Sequence, residues 1–306
     1  MLKLFKRITI KVAFQTFYKH FSYLNLEQTI EYFSILGGIE ENITIDYFDD
    51  IFSMLESNFV DNFKKFHALV SPSYLLEAPY RDVLMSVARG DAKFYSVIRK
   101  SKLSQSVGEE IIKELIALNV LSIEKSRETP LSSHPKNKIK KHLRSYRIQD
   151  KLRFTQPFIR FWFGFVSYYR DDLIVGRADT FLNNFHKNYK VLRSLVYEQL
   201  CNTLLIEYYA DSRPLLSSGS YWDQHTEFDI LAIRDDKRLI LGECKYTNRK
   251  VCKNEFTKLK VKANHSGIRV DIYALFSKSG FSNELLGLKS KDLLLFDLDD
   301  IAKIIQ

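Results

Sequence analysis

Residues 227–247, EFDILAIRDDKRLILGECKYT, alternate apolar and polar side chains on either side of a short polar break. A period of two marks strands with one buried face, and a few turn-forming residues between two such runs make a hairpin. With Asp235, Asp236 and Lys237 as a three-residue loop, Arg234 pairs with Arg238. That register sets Asp229 opposite Glu243 and Glu227 opposite Lys245, whereas a two-residue loop shifts the pairing by one. Cross-strand carboxylates repel each other unless a cation lies between them. Oxygen ligands of this kind suit Mg²⁺ or Mn²⁺, which keep waters and also bind phosphate oxygens. Lys245, two residues after Glu243, shares its face and is placed to orient or deprotonate a water, or to steady a charged transition state. The apolar run Leu239–Leu241 before Gly242 reads as a buried strand, and charges at the end of such a strand need a reason. The plainer reading is that charges alternate on many half-exposed strands.

The 306 residues are enough for about two domains, and 23 Phe and 17 Tyr supply ample core material. The net charge of +9 fits either a lysine-rich solvated surface or an anionic partner such as DNA. Cys201, Cys244 and Cys252 include no Cys-x-x-Cys pair, which suits a reducing, cytoplasmic setting and gives neither a disulfide framework nor a zinc site. No stretch reaches the roughly 18 uncharged apolar residues of a membrane span. Lys3, Lys6, Arg7, Lys11 and Lys19 precede the first acid, Glu27, and Lys11 interrupts any signal-peptide core. This start reads as a folded basic segment, with membrane-surface contact as the alternative.

Residues 1–79 form a helical, aromatic-rich N-terminal region with a turn at Gly37-Gly38 and breakers at Pro72 and Pro79. Residues 80–155 read as a winged helix, a variant of helix-turn-helix: helices in PYRDVLMSVARGD, AKFYSVIRKSKL and SQSVGEEIIKELIALNVL, a strand in LSIEK, and a return strand around HLRSYRI. The spacing of Ser106 and Glu109 predicts a capping box for the third helix. The wing carries Lys136, Lys138, Lys140, Lys141, Arg144 and Arg147 and no acid, a strip suited to DNA phosphates. Glu109, Glu110 and Glu114 on the third helix argue against major-groove reading, and a protein–protein module remains the alternative. Residues 156–186 hold a connecting helix and linker. PFIRFWFGFVSYY within them begins at Pro157, a favoured first-turn residue, and reads as buried.

Residues 187–306 alternate helix and strand: KVLRSLVYEQLCNTLLIEYY, then strands RPLLSS, EFDILAIR and RLILGECKY, then helix KNEFTKLKVKANH, then strands in IRVDIYALFSKSGF and DLLLFDL. This is one mixed sheet flanked by helices, so the fold class is a multidomain α+β or α/β protein. Lys258, Lys260 and Lys262 cluster on the helix after the hairpin and form either a DNA-facing strip or a solvated face. Glu198 falls at the edge of its helix's apolar face, near Val191 and Leu195, where a carboxylate is unusual, though a surface glutamate fits as well. His225 lies close enough to Glu227 to join the site, or sits in a surface loop beside Trp222. Cys244 points away from Glu243 and Lys245 and reads as core packing.

Asp229 on one strand and Glu243-Cys244-Lys245 on the next resemble the motif of the PD-(D/E)xK nuclease superfamily. The resemblance implies a restriction-endonuclease-like core. It also implies a Mg²⁺-dependent DNA hydrolase in which Asp229, Glu243 and Glu198 hold the metal and Lys245 assists the water, Glu198 in VYEQL matching the acid that many members carry on the preceding helix. More of the chain is similar to the C-terminal half of archaeal-type ATPases, through LGG at 36–38, LLEAPYRDVL at 75–84, SYRIQD at 145–150, PFIRFWFGFV at 157–166, EFDILA at 227–232, GECKYT at 242–247 and SKSGF at 277–281. In those proteins a winged helix and a nuclease-like domain follow a P-loop ATPase. No GxxxxGK[ST] occurs here, so no ATP site is expected. The resemblance leaves three functional expectations: a metal-dependent nuclease, an inactive DNA-binding or adaptor protein, and a partner subunit for a separate ATPase.

Overall fold

Phe14 and Phe17, three residues apart, turn toward one side of a helix and both meet Phe33 edge to face, at 5.2 and 5.5 Å. This contact joins α1 (Ile10–His20) to α2 (Leu26–Leu36). Thr9 caps α1, and Asn25 with Gln28 makes a reciprocal capping box for α2. The computed structural model describes residues 9–129 and 146–305. The chain divides into one unit of Met1–Lys125 and Gln149–Arg193 and another of Ser126–Ile148 and Ser194–Gln306.

In the first unit α3 (Ile51–Met54) and α4 (Phe63–Leu69) follow α2. Then come α5 (Tyr80–Arg89), α6 (Phe94–Lys100), α7 (Gln105–Ala117), β1 (Leu121–Glu124) and β2 (Lys151–Phe154). Three helices and an antiparallel strand pair, in that order, make the winged-helix arrangement. The return strand pairs Leu121 with Phe154 and Glu124 with Lys151, later in the chain than HLRSYRI, whose described residues Tyr146–Ile148 form no strand. Lys136, Lys138, Lys140, Lys141 and Arg144 lie outside the described residues.

The cap of α7 is Ser104, not Ser106: its Oγ accepts from Val107 N–H at 3.4 Å. Glu109 accepts from the Gln105 side chain at 2.7 Å instead of reaching back to close a box. Ser104→Ala is expected to cost about 1 kcal/mol in a urea unfolding experiment, and Ser106→Ala a few tenths.

The apolar side chains of the aromatic segment after the wing are buried from Pro157 to Phe163, as expected, whereas Tyr168 near its end is exposed. In α8 (Pro157–Phe161) and the π-type turn Trp162–Val166, Phe158, Phe161, Trp162 and Phe163 have no exposed surface. α9 (Arg170–Ile174) and α10 (Asp179–Asn188) lead to α11 (Lys190–Ala210).

The second unit holds a sheet of β3 (Leu215–Trp222), β4 (Glu227–Arg234), β5 (Leu239–Lys245), β6 (Ile272–Ser277) and β7 (Leu293–Phe296), in that spatial order. β3, β4 and β5 form an antiparallel meander, and β6 and β7 run parallel to β5. A parallel neighbour needs a crossover, which α12 (Lys253–His265) supplies. Leu259 and Ala263 of α12 pack on Leu231, Leu241 and Leu275 on one face of the sheet. α11 covers the other face, with Tyr197 against Tyr246 and Tyr208 against Phe296. The short α13 (Asn283–Leu286) precedes β7, and α14 (Leu298–Ile305) closes the chain. Among the described residues no helix is long and apolar enough to cross a membrane.

Candidate active site

The turn between β4 and β5 takes the form expected from the sequence. Arg234 N–H donates to Arg238 O at 3.0 Å, and Lys237 adopts a left-handed φ of 68°. A turn followed by a left-handed residue is the common three-residue hairpin loop. The register follows from it: Ile233 pairs with Leu239, and the ladder continues to Ile230 opposite Gly242. Gly242 is required there, because a Cβ would come within 2.9 Å of Ile230 Cβ.

Beyond Ile230 the strand changes. Leu231 pairs with Gly219 of β3 and Phe228 with Tyr221, so Asp229 and Ile230 together span the single residue Ser220. This is a β-bulge, a device that re-aims a side chain. The Asp229 carboxylate turns into the plane of the strands, where Oδ2 accepts from Cys244 N–H at 2.7 Å. The ladder therefore ends before the expected backbone pairing of Asp229 with Glu243, and a side-chain bond takes its place.

Glu243 and Lys245 share the face of Leu239 and Leu241, under α12. Lys245 Nζ contacts Glu243 Oε1 in an ion pair whose side chains are 37% and 19% exposed. Burial and the neighbouring Glu243 charge push the Asp229 carboxyl up to about 6, while the Cys244 N–H, Lys245 and Lys262 pull the other way. Burial works against the Lys245 ammonium, but Glu243 and Asp229 outweigh it and raise its pKa. Lys245 is thus a held positive charge and a hydrogen-bond donor.

Glu198 lies on α11, the helix of the opposite face. Burial keeps the Cys201 and Cys244 thiols protonated, and the Asp229 and Glu198 charges push them the same way. Glu198 and Asp229 therefore act on one pair of thiols, and Cys244 packs inward as expected. Among the described residues no three or more His, Cys, Asp or Glu side chains form a group arranged to hold a metal. Glu198 does not complete a ready-made cage with Asp229 and Glu243. The chemistry of the remaining donors still fits a hard divalent ion. Burial first, and then the Glu243 charge, disfavour the ionised Asp229, and a divalent ion would relieve both; such ions are often held by one or two carboxylates with water and phosphate oxygens completing the shell.

The lysines of α12 are exposed. Lys260 Nζ lies 5.1 Å from the Phe256 ring centroid. Lys262 Nζ lies 4.6 Å from that of Phe228 and donates to the Glu227 carbonyl. Lys262 is the one whose charge reaches Asp229, a coupling that the sequence signals only through helical spacing. The backbone donor from Cys244 carries no sequence signal at all. His225 belongs to a tight turn in which Asp223 Oδ1 accepts its N–H at 2.7 Å.

No curated protein and no solved structure matches this chain. Residues 162–259, which run from the aromatic turn through β3, β4 and β5 into α12, are similar to a protein family, DUF234, described as archaea bacterial proteins of unknown function.

Proposed function

We propose that this protein hydrolyses phosphodiester bonds of DNA with Mg²⁺ or Mn²⁺ at Asp229, Glu243 and Lys245. The observation that carries this reading is the convergence of two electrostatically coupled carboxylates and a positively held lysine at the end of a buried strand. Asp229 and Glu243 are the residues that would hold the divalent ion, which when bound supplies charge for phosphate oxygens and a more acidic water. Lys245 donates to a phosphate oxygen or to the water and offsets negative charge as it develops. Glu198, on the helix before the meander, is the further acid that the PD-(D/E)xK resemblance adds. The α12 lysines and the wing residue Arg147 are the contacts that would place a DNA backbone.

A second reading, a DNA-binding or adaptor protein that partners a separate ATPase and cuts nothing, draws on one observation. The Lys245–Glu243 ion pair occupies the glutamate, and among the described residues no three-ligand group is assembled around it. Incubating the protein with supercoiled and branched DNA in Mg²⁺, Mn²⁺ or EDTA separates the two. Metal-dependent nicking that disappears in Asp229→Asn supports hydrolysis at this site. Nicking that persists in that variant removes the site assignment. Salt-sensitive DNA binding without nicking favours the second reading.

A further inference from the structure

On the α12 side of the sheet lies a concavity of about 590 Å³ whose lining includes His225, Thr226, Glu227, Lys258, Lys262 and His265. Lys258, Lys262 and His265 are spaced four and three residues apart, so they form one stripe on α12 facing the turn before β4. Among the described residues neither Lys258 nor Lys262 has an ion-pair partner.

The walls are built and tied together. Asp223 Oδ1 accepts from both His225 N–H and Thr226 N–H, at 2.7 and 2.6 Å, which fixes the turn. Ser266 Oγ donates to Thr226 Oγ1 at 3.0 Å, bridging the end of α12 to that turn. Lys262 is held against the Glu227 carbonyl and the Phe228 ring. Lys262, held in place before a ligand arrives, loses little freedom on binding it. The volume falls in the range of small-molecule sites and suits a nucleotide-sized group.

We propose that this concavity is a binding site for a phosphomonoester, in which Lys258 and Lys262 pair with the phosphate and His225 and His265 donate from opposite walls. The phosphate belongs either to a strand end or to a free nucleotide. A monoester offers three terminal oxygens where an internal diester offers two, and here Lys258, Lys262 and His265 of α12 line the concavity opposite His225. Glu227 is the carboxylate among these residues and opposes the anion. The site is a binding site, and its occupancy does not require that the protein cut DNA.

The test is a titration of the full chain, in EDTA and at constant ionic strength, with inorganic phosphate and with a deoxynucleoside 5′-monophosphate. The imidazole C–H resonances of His225 and His265 are followed by NMR. Both resonances should move saturably. Lys258→Ala, a change at an exposed position that spares the fold, should weaken binding by about tenfold or more. Glu227→Gln should tighten it a few-fold. A 5′-phosphorylated oligonucleotide that binds tighter than both its 5′-hydroxyl form and the mononucleotide identifies a strand end, and the reverse order identifies a free nucleotide. Resonances that stay put, that move no more than with chloride, or that respond identically in Lys258→Ala overturn the proposal. Because every readout is binding without metal, a protein that fails to nick DNA leaves the result interpretable.

Discussion

Lys245→Ala should lower metal-dependent DNA cleavage by about 10²–10³-fold while leaving DNA affinity within a few-fold of the wild type. The magnitude is that of removing one preorganised donor from a charged transition state. The ammonium is held by Glu243 and Asp229, so its charge is in place before substrate binds and needs no reorganisation during reaction. Single-turnover rates at saturating metal, compared with anisotropy measurements on the same DNA, separate the two effects. Lys245→Arg keeps the charge but changes the donor geometry, so it should recover only part of the rate. A Lys245→Ala protein that cleaves at the wild-type rate would remove this residue from the chemistry.

The second large effect concerns stability. Asp229 has its carboxyl raised to about 6 in the fold, against about 3.9 in an unfolded chain. The folded state therefore binds this proton more tightly than the unfolded state. Lowering the pH from 7 through 6 toward 4 stabilises the fold, and raising it back removes that gain. Two units correspond to about 2–3 kcal/mol in full below pH 4, of which about half is present at pH 5, so the urea midpoint at pH 5 should exceed that at pH 7 by a resolvable amount. Asp229→Asn should be more stable than the wild type at pH 7 and should flatten this part of the profile, since an amide oxygen still accepts from Cys244 N–H. A wild-type midpoint that falls between pH 7 and 5 in step with the variant's would contradict the assignment.

Much of the second unit was legible because its signals are local. EFDILAIR and KNEFTKLKVKANH coincide with β4 and α12, and three polar residues sufficed to set the hairpin register. The bulge at Asp229 was not legible, since it depends on how β3 lies against β4. RPLLSS marks only the start of a strand that runs on to Trp222. The cap of α7 escapes the sequence for a similar reason. Ser106 has a glutamate at capping-box spacing, but Gln105 engages that glutamate and leaves the cap to Ser104. Helical periodicity put Glu198 at the edge of an apolar face, yet which face of the sheet α11 covers is settled by tertiary contacts such as Tyr197 with Tyr246.

The bond from Cys244 N–H to Asp229 Oδ2 has a consequence for how variation at this position is to be interpreted. One carboxylate oxygen stands in for a missing main-chain acceptor, so the proposed hydrolysis would draw on the same atom as the sheet. A lineage that abandoned hydrolysis would still be under pressure to keep an oxygen there, and Asn would satisfy it. Retention of Asp or Asn at 229 therefore reports on folding, whereas Glu243 and Lys245, which carry no such backbone duty, are the positions whose loss would report that cleavage had been given up.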